Sequence, residues 1–319
     1  YVNYKNLNVN NMKRQLRYII SVLFVVVSAG HIQAQNDIDV SNYMFDEISY
    51  NPAFTGEGET FRAFLLARKQ WLGFDGSPLF ETLSIDGATK HIGGLGLHVV
   101  NDKLGFENVV TATLNYSYGV NLAENVRLTA GFAGGIIDRY VDISEFIYQD
   151  QVQKDPEGYD ANSNFIIPTI NVGLNLAVKQ LVAGASVTHI ASNLKNASVE
   201  KLPRHIFGYV KYTINEGERV SFVPSLLVKY GSAKTQLEGN TNVYFNNKFW
   251  VGASYRANES VVGLIGVILK ERIYIGYSYD CNVGKNRKYT YGSHEIFLSW
   301  RQKRDPHQTG FYQSTRLFN

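Results

Sequence analysis

A hydrolase needs a nucleophilic Ser beside a His that takes its proton, with a third group orienting that His. Ser186 and His189 lie three apart in what reads as one strand, so the two-residue alternation sends them to opposite faces. Ser293 and His294 are adjacent in a loop and read as a polar lead into the last strand. Metal ligation is as poorly supported. His91 and His98 are isolated, Cys281 is the single cysteine, and Asp142, Glu145 and Asp150 lack the D-x-[DN]-x-[DN]-G pattern of a calcium loop. The sequence therefore predicts no catalytic residue, no metal and no cofactor. The remaining chemistry-bearing groups are charges that alternation collects on one face: Arg62, Arg68, Asp86, His98, Asp102, Arg127, Arg139, Arg272, Asp280, Glu295 and Arg301. Such a set either lines a selective passage or pairs internally and stiffens the interior. Internal pairing is the expectation, because inward charges must be neutralised.

The elements that carry these charges are short strands. In the first, Thr60 to Gln70, Phe61, Ala63, Leu65 and Ala67 alternate with Arg62, Phe64, Leu66, Arg68 and Gln70. The same split recurs where Val110, Ala112, Leu114, Tyr116 and Tyr118 oppose Thr111, Thr113, Asn115, Ser117 and Gly119. It recurs again around Ile170, Val172 and Leu174, and around Ile273, Ile275, Tyr277 and Tyr279, with Arg272 on the opposite face.

About fourteen strands can be counted this way. The connections sort by parity. Long ones, Trp71 to Pro78, Val141 to Asn164, Ala191 to Arg204 and Asn282 to Tyr291, follow odd-numbered strands, whereas the connections after even-numbered strands are short. A soluble β-sandwich has no reason to sort its loops, but an up-and-down barrel inserted from the periplasm does. The fold class expected is all-β: a single antiparallel outer-membrane β-barrel, with lipid around it. All three tryptophans, Trp71, Trp250 and Trp300, fall near strand ends, where interfacial girdles sit.

The N-terminus fits export. Lys13, Arg14 and Arg17 precede an apolar run from Tyr18 to Ala29, about half the roughly 20 residues a membrane helix needs, so the run reads as a signal peptide cleaved after Ala34. Tyr1 to Asn11 precede Met12 and read as an upstream extension. The expected organisation is 1–34 extension and signal peptide, 35–59 periplasmic lead-in or plug, 60–301 barrel, and 302–319 a periplasmic tail. A formal charge of +3, with no basic run interleaved with aromatics, argues against nucleic acid as a partner.

Four groups of residues resemble the PorP/SprF family of type IX secretion system membrane proteins. They are Asn51, Pro52, Ala53, Phe54 and Gly56; then Arg68, Gln70, Trp71, Gly73, Phe74, Gly76 and Pro78; then Gly94, Gly96, Asp102 and Gly105; and finally Gly292, Ser293, His294 and Glu295. The resemblance implies a non-enzymatic part of a protein export and gliding-motility machinery that helps secrete and anchor a large surface adhesin and docks periplasmic secretion-motor proteins. The alternative is an outer-membrane channel for small solutes.

Overall fold

The computed structural model describes residues 40–73, 75–89, 92–142, 163–191, 204–231, 235–284 and 290–303. The signal-peptide reading, Phe74, His91, Glu145, Asp150 and most of the tail lie outside them. The first half of the wall consists of β1 (Glu59–Lys69), β2 (Leu79–Thr89), β3 (Gly93–Leu104), β4 (Glu107–Ala123), β5 (Val126–Val141), β6 (Ser163–Val178) and β7 (Leu181–Thr188). The second half is β8 (His205–Tyr212), β9 (Val220–Tyr230), β10 (Thr235–Phe245), β11 (Phe249–Arg256), β12 (Ser260–Leu269), β13 (Ile273–Asn282) and β14 (Ser293–Lys303). Each strand pairs antiparallel with its sequence neighbours, and β1 pairs with β14, which closes the barrel. Closure leaves no sheet edge to satisfy in lipid, as a membrane-spanning sheet requires.

Alternation sets the two faces. On β1, Leu65 is half exposed toward the membrane while Arg62, Phe64, Leu66 and Arg68 are buried. Leu114, Tyr116, Tyr118, Ile166, Val172 and Leu174 face outward in the same way. The short inner turns use left-handed residues: Asn246 and Asn247 both have positive φ, as do Lys270 and Glu271, the conformation that suits tight hairpins. That geometry corrects the position of Arg272. It lies in the turn before β13, exposed, with its N–H donating to Leu269 O, because the hairpin absorbs the residue that alternation alone assigns to the inner face. His189 likewise falls just beyond β7, at φ +58°.

Residues 40–58 pack inside the barrel as a plug. Three single-turn 3-10 helices, Tyr43–Phe45, Glu47–Ser49 and Pro52–Phe54, compact the chain so that it fits the lumen. The plug descends from the outer end, where Ser41 meets Glu295 and Asp280, to the inner end, where Glu57 meets Asn175. Phe45 packs with Phe64, Phe297 and Trp250, while Tyr43, Tyr50 and Phe54 pack with Phe207 and Tyr209 on the other side. The apolar core of this membrane protein therefore lies between plug and wall.

Candidate functional site: the plug and the charged lumen

The lumen holds three tiers of polar contacts. In the outer tier, Arg68 from β1 donates to Asp280 at 2.5 Å and lies 3.3 Å from Glu295. Arg256 from β11 is 3.3 Å from the same Asp280 carboxylate and 2.9 Å from Glu238 on β10. The plug caps this network: the Ser41 and Asn42 N–H groups donate to the two Glu295 oxygens at 2.9 and 2.7 Å, and Ser41 Oγ donates to Asp280 at 2.9 Å. Charge-assisted bonds to a carboxylate are the strong ones, and here the Asp280 and Glu295 carboxylates are shared between wall and plug.

In the middle tier, Arg62 donates from Nε to Asp86 at 2.6 Å and from Nη1 to Phe45 O at 3.0 Å, and lies 3.3 Å from Asp46 in the plug. Asp86 also accepts the Gly56 N–H at 2.6 Å, and Ser84 donates to Asp46 at 2.9 Å. Lys211 from β8 reaches Glu47 at 2.9 Å.

The inner tier depends on backbone shape. Asn51 is extended, as a residue before proline prefers to be, and caps the turn by accepting the Ala53 N–H at 2.9 Å. Its amide donates to Leu174 O on β6 at 3.0 Å, and Pro52 begins the helical turn. Glycines let the plug touch the wall. A side chain at Gly131 on β5 would run into the Pro52 and Ala53 backbone, and one at Gly94 on β3 into Thr55 O. Ser186 donates to Tyr50 O, so its hydroxyl serves the plug rather than His189.

Apart from Gly96, which lies on β3 against Asp86, Thr55 and Ile48, the other described family-like residues gather at the outer rim. Gln70 N–H donates to Pro78 O, Trp71 N–H to Ser293 Oγ, and Leu72 N–H to Gly292 O at 2.8 Å. Gly292 has φ +88°, a conformation glycine adopts without strain. Gly105 follows Asp102 by three residues, in the β3–β4 turn, and its N–H donates to Gly76 O at 3.1 Å. Asp102 faces inward and half-buried, and Arg139 pairs with Glu107 at 2.7 Å. His294 instead faces outward.

Sequence reasoning missed Asp46, Glu47, Lys211, Glu238 and Arg256. The last three stand at inward alternate positions of their strands, so counting by twos would have found them. The two plug acids carry no periodic signal at all.

A closed fourteen-stranded barrel with an internal plug and an apolar girdle defines an integral protein of the cell outer membrane. The chain belongs to the family of type IX secretion system membrane proteins PorP/SprF, whose model matches residues 32–300. A deltaS2S3 mutant of the monoaromatic hydrocarbon channel TodX is similar in fold, with a TM-score of 0.51 and 10% identity over 84% of this chain and 95% of that one. The toluene transporter TbuX of Ralstonia pickettii aligns at a TM-score of 0.49 and 10% identity over 83% of this chain and 94% of its own. No curated protein sequence matches this chain.

Proposed function

We propose that this chain serves type IX secretion as a closed, non-enzymatic platform that supports secretion and surface anchoring of a large adhesin and docks periplasmic secretion-motor proteins. The observation that carries this reading is the plug. It meets the wall through buried ion pairs, two aromatic clusters and glycine contacts, an arrangement suited to a rigid support more than to a conduit. Drawing Phe45, Ile48, Tyr50 and Phe54 into water would cost on the order of 1.5–3 kcal/mol each, so the plug is held strongly. The alternative, a channel for small solutes, shares the fold of TodX, and at 10% identity that likeness extends to the fold alone.

Planar-bilayer recording of the full-length protein separates the two readings. A platform stays electrically silent while inserted and heat-modifiable, whereas a steady open conductance overturns it. In cells, loss of the protein should reduce surface display of the cognate adhesin and recovery of motor components in pull-downs. The tail is proposed as one docking element, since it follows an even-numbered strand and mixes Arg304 and Arg316 with Phe311, Tyr312 and Phe318. Deleting 305–319 should leave an inserted barrel yet lower both signals, and unchanged display and pull-downs would remove the tail from the docking surface.

A further inference from the structure

His294 belongs to the family-like Gly292–Glu295 group but takes no part in the lumen. Alternation turns Arg68 and Glu295 inward, so their neighbours Lys69 and His294 face out, and the β1–β14 register sets these two residues directly opposite each other. On the same outward face lie Ala67, Leu65, Ala63 and Phe61 on β1, and Ile296, Leu298 and Trp300 on β14. The rings of Phe61 and Trp300 touch, with centroids 5.5 Å apart, at the inner end of this stripe. Eight residues separate Phe61 from Lys69, which is about 27 Å of strand and about 20 Å along the membrane normal at the usual tilt. Lys69 and His294 therefore stand where the apolar band ends and the outer-leaflet headgroups begin.

Their surroundings supply donors. Tyr277 OH lies 2.5 Å from His294 Nδ1, and the Tyr279 ring centroid lies 5.0 Å from that of His294. Tyr279 OH donates to Tyr291 O, tying this corner to the outer rim. In the tautomer in which Tyr277 donates to Nδ1, the imidazole proton sits on Nε2 and is a donor. Lys69 Nζ spends one of its three N–H bonds on Ser77 O at 2.7 Å.

We infer that Lys69 and His294, held by Tyr277 and Tyr279, bind the phosphate of an outer-leaflet lipid headgroup. An ammonium and an imidazole on facing residues at headgroup depth offer N–H donors of the kind phosphate oxygens accept, and the apolar stripe beneath receives the acyl chains. The contact would fix the β1–β14 seam, where the barrel closes, against the surrounding leaflet.

Native mass spectrometry of the purified full-length protein, offered diphosphoryl lipid A or its dephosphorylated counterpart, tests this. The wild type should retain the phosphorylated lipid about tenfold better, the worth of about one charge-assisted hydrogen bond. The double variant Lys69→Gln/His294→Gln should lose that preference, and Lys69→Arg should keep it, with a heat-modifiable gel shift showing each barrel intact. Equal retention of both lipids by the wild type overturns the inference, as does a preference that survives in the double variant. Displacement of the lipid by inorganic phosphate would assign the site to the free ion and overturn it too. A double variant that keeps the lipid preference but loses co-purifying secretion components would assign the patch to a protein partner.

Discussion

Glu47 in the plug and Lys211 on β8 meet at 2.9 Å, both buried, across 164 residues of chain. Each offsets the other's burial, because a charge at that depth has lost its water, and Lys211 Nζ also lies 5.9 Å from the centroid of the Tyr209 ring. Breaking a buried pair by removing one partner costs about 3–5 kcal/mol, whereas replacing both with apolar groups of similar volume is often close to neutral. Glu47→Leu and Lys211→Met should each lower the temperature of the heat-modifiable gel transition, and the double variant should recover most of the loss. Additive losses in the double variant would mean that the pair is not coupled.

The plug's seat depends on a missing side chain. Gly131→Val would drive a side chain into the Pro52 and Ala53 backbone, while the same change at Gly239, where nothing lies within 4 Å, meets open space. Bilayer recordings should show leak currents for Gly131→Val and silence for Gly239→Val. Silence in both would mean that the plug seals without this contact.

Membrane embedding is tested on the outward stripe. Leu114 is 70% exposed, and Val172 also faces outward. Leu114→Arg or Val172→Arg should cost about 2–4 kcal/mol if the position lies near the midplane, measured by urea unfolding in lipid vesicles, and Leu114→Phe should be close to neutral. Equal stability of the Arg and Phe variants would place that stripe outside the hydrocarbon.

Orientation follows from loop parity. In a Cys281→Ser background, Asp75→Cys in the β1–β2 loop should react with an impermeant thiol reagent on intact cells, while Lys248→Cys in the β10–β11 turn should react only after the outer membrane is permeabilised. The reverse pattern would invert the barrel.

Much of the wall was legible in the sequence because alternation is a local property. Leu114 and Thr113 declare opposite faces from their own spacing, and loop parity then distinguishes a barrel from a sandwich. The inward charges Arg62, Arg68, Asp86, Asp280 and Glu295 were found by the same count.

Which charges meet was decided by closure. Arg68 and Asp280 are 212 residues apart and become neighbours only because β1 pairs with β14, and β14 with β13. Arg272 went to solvent because a two-residue left-handed turn, not alternation, governs its position. Asp46 joins two single-turn helices and Glu47 opens the second, without a repeating pattern, so the amino-acid order reveals neither their burial nor their partners. The sequence by itself determined a membrane-facing sheet with a charged inner face. The tertiary structure alone decided that this face is occupied by the chain's own N-terminal segment, because a plug is specified by contacts distributed around a closed wall and not by any period along the chain.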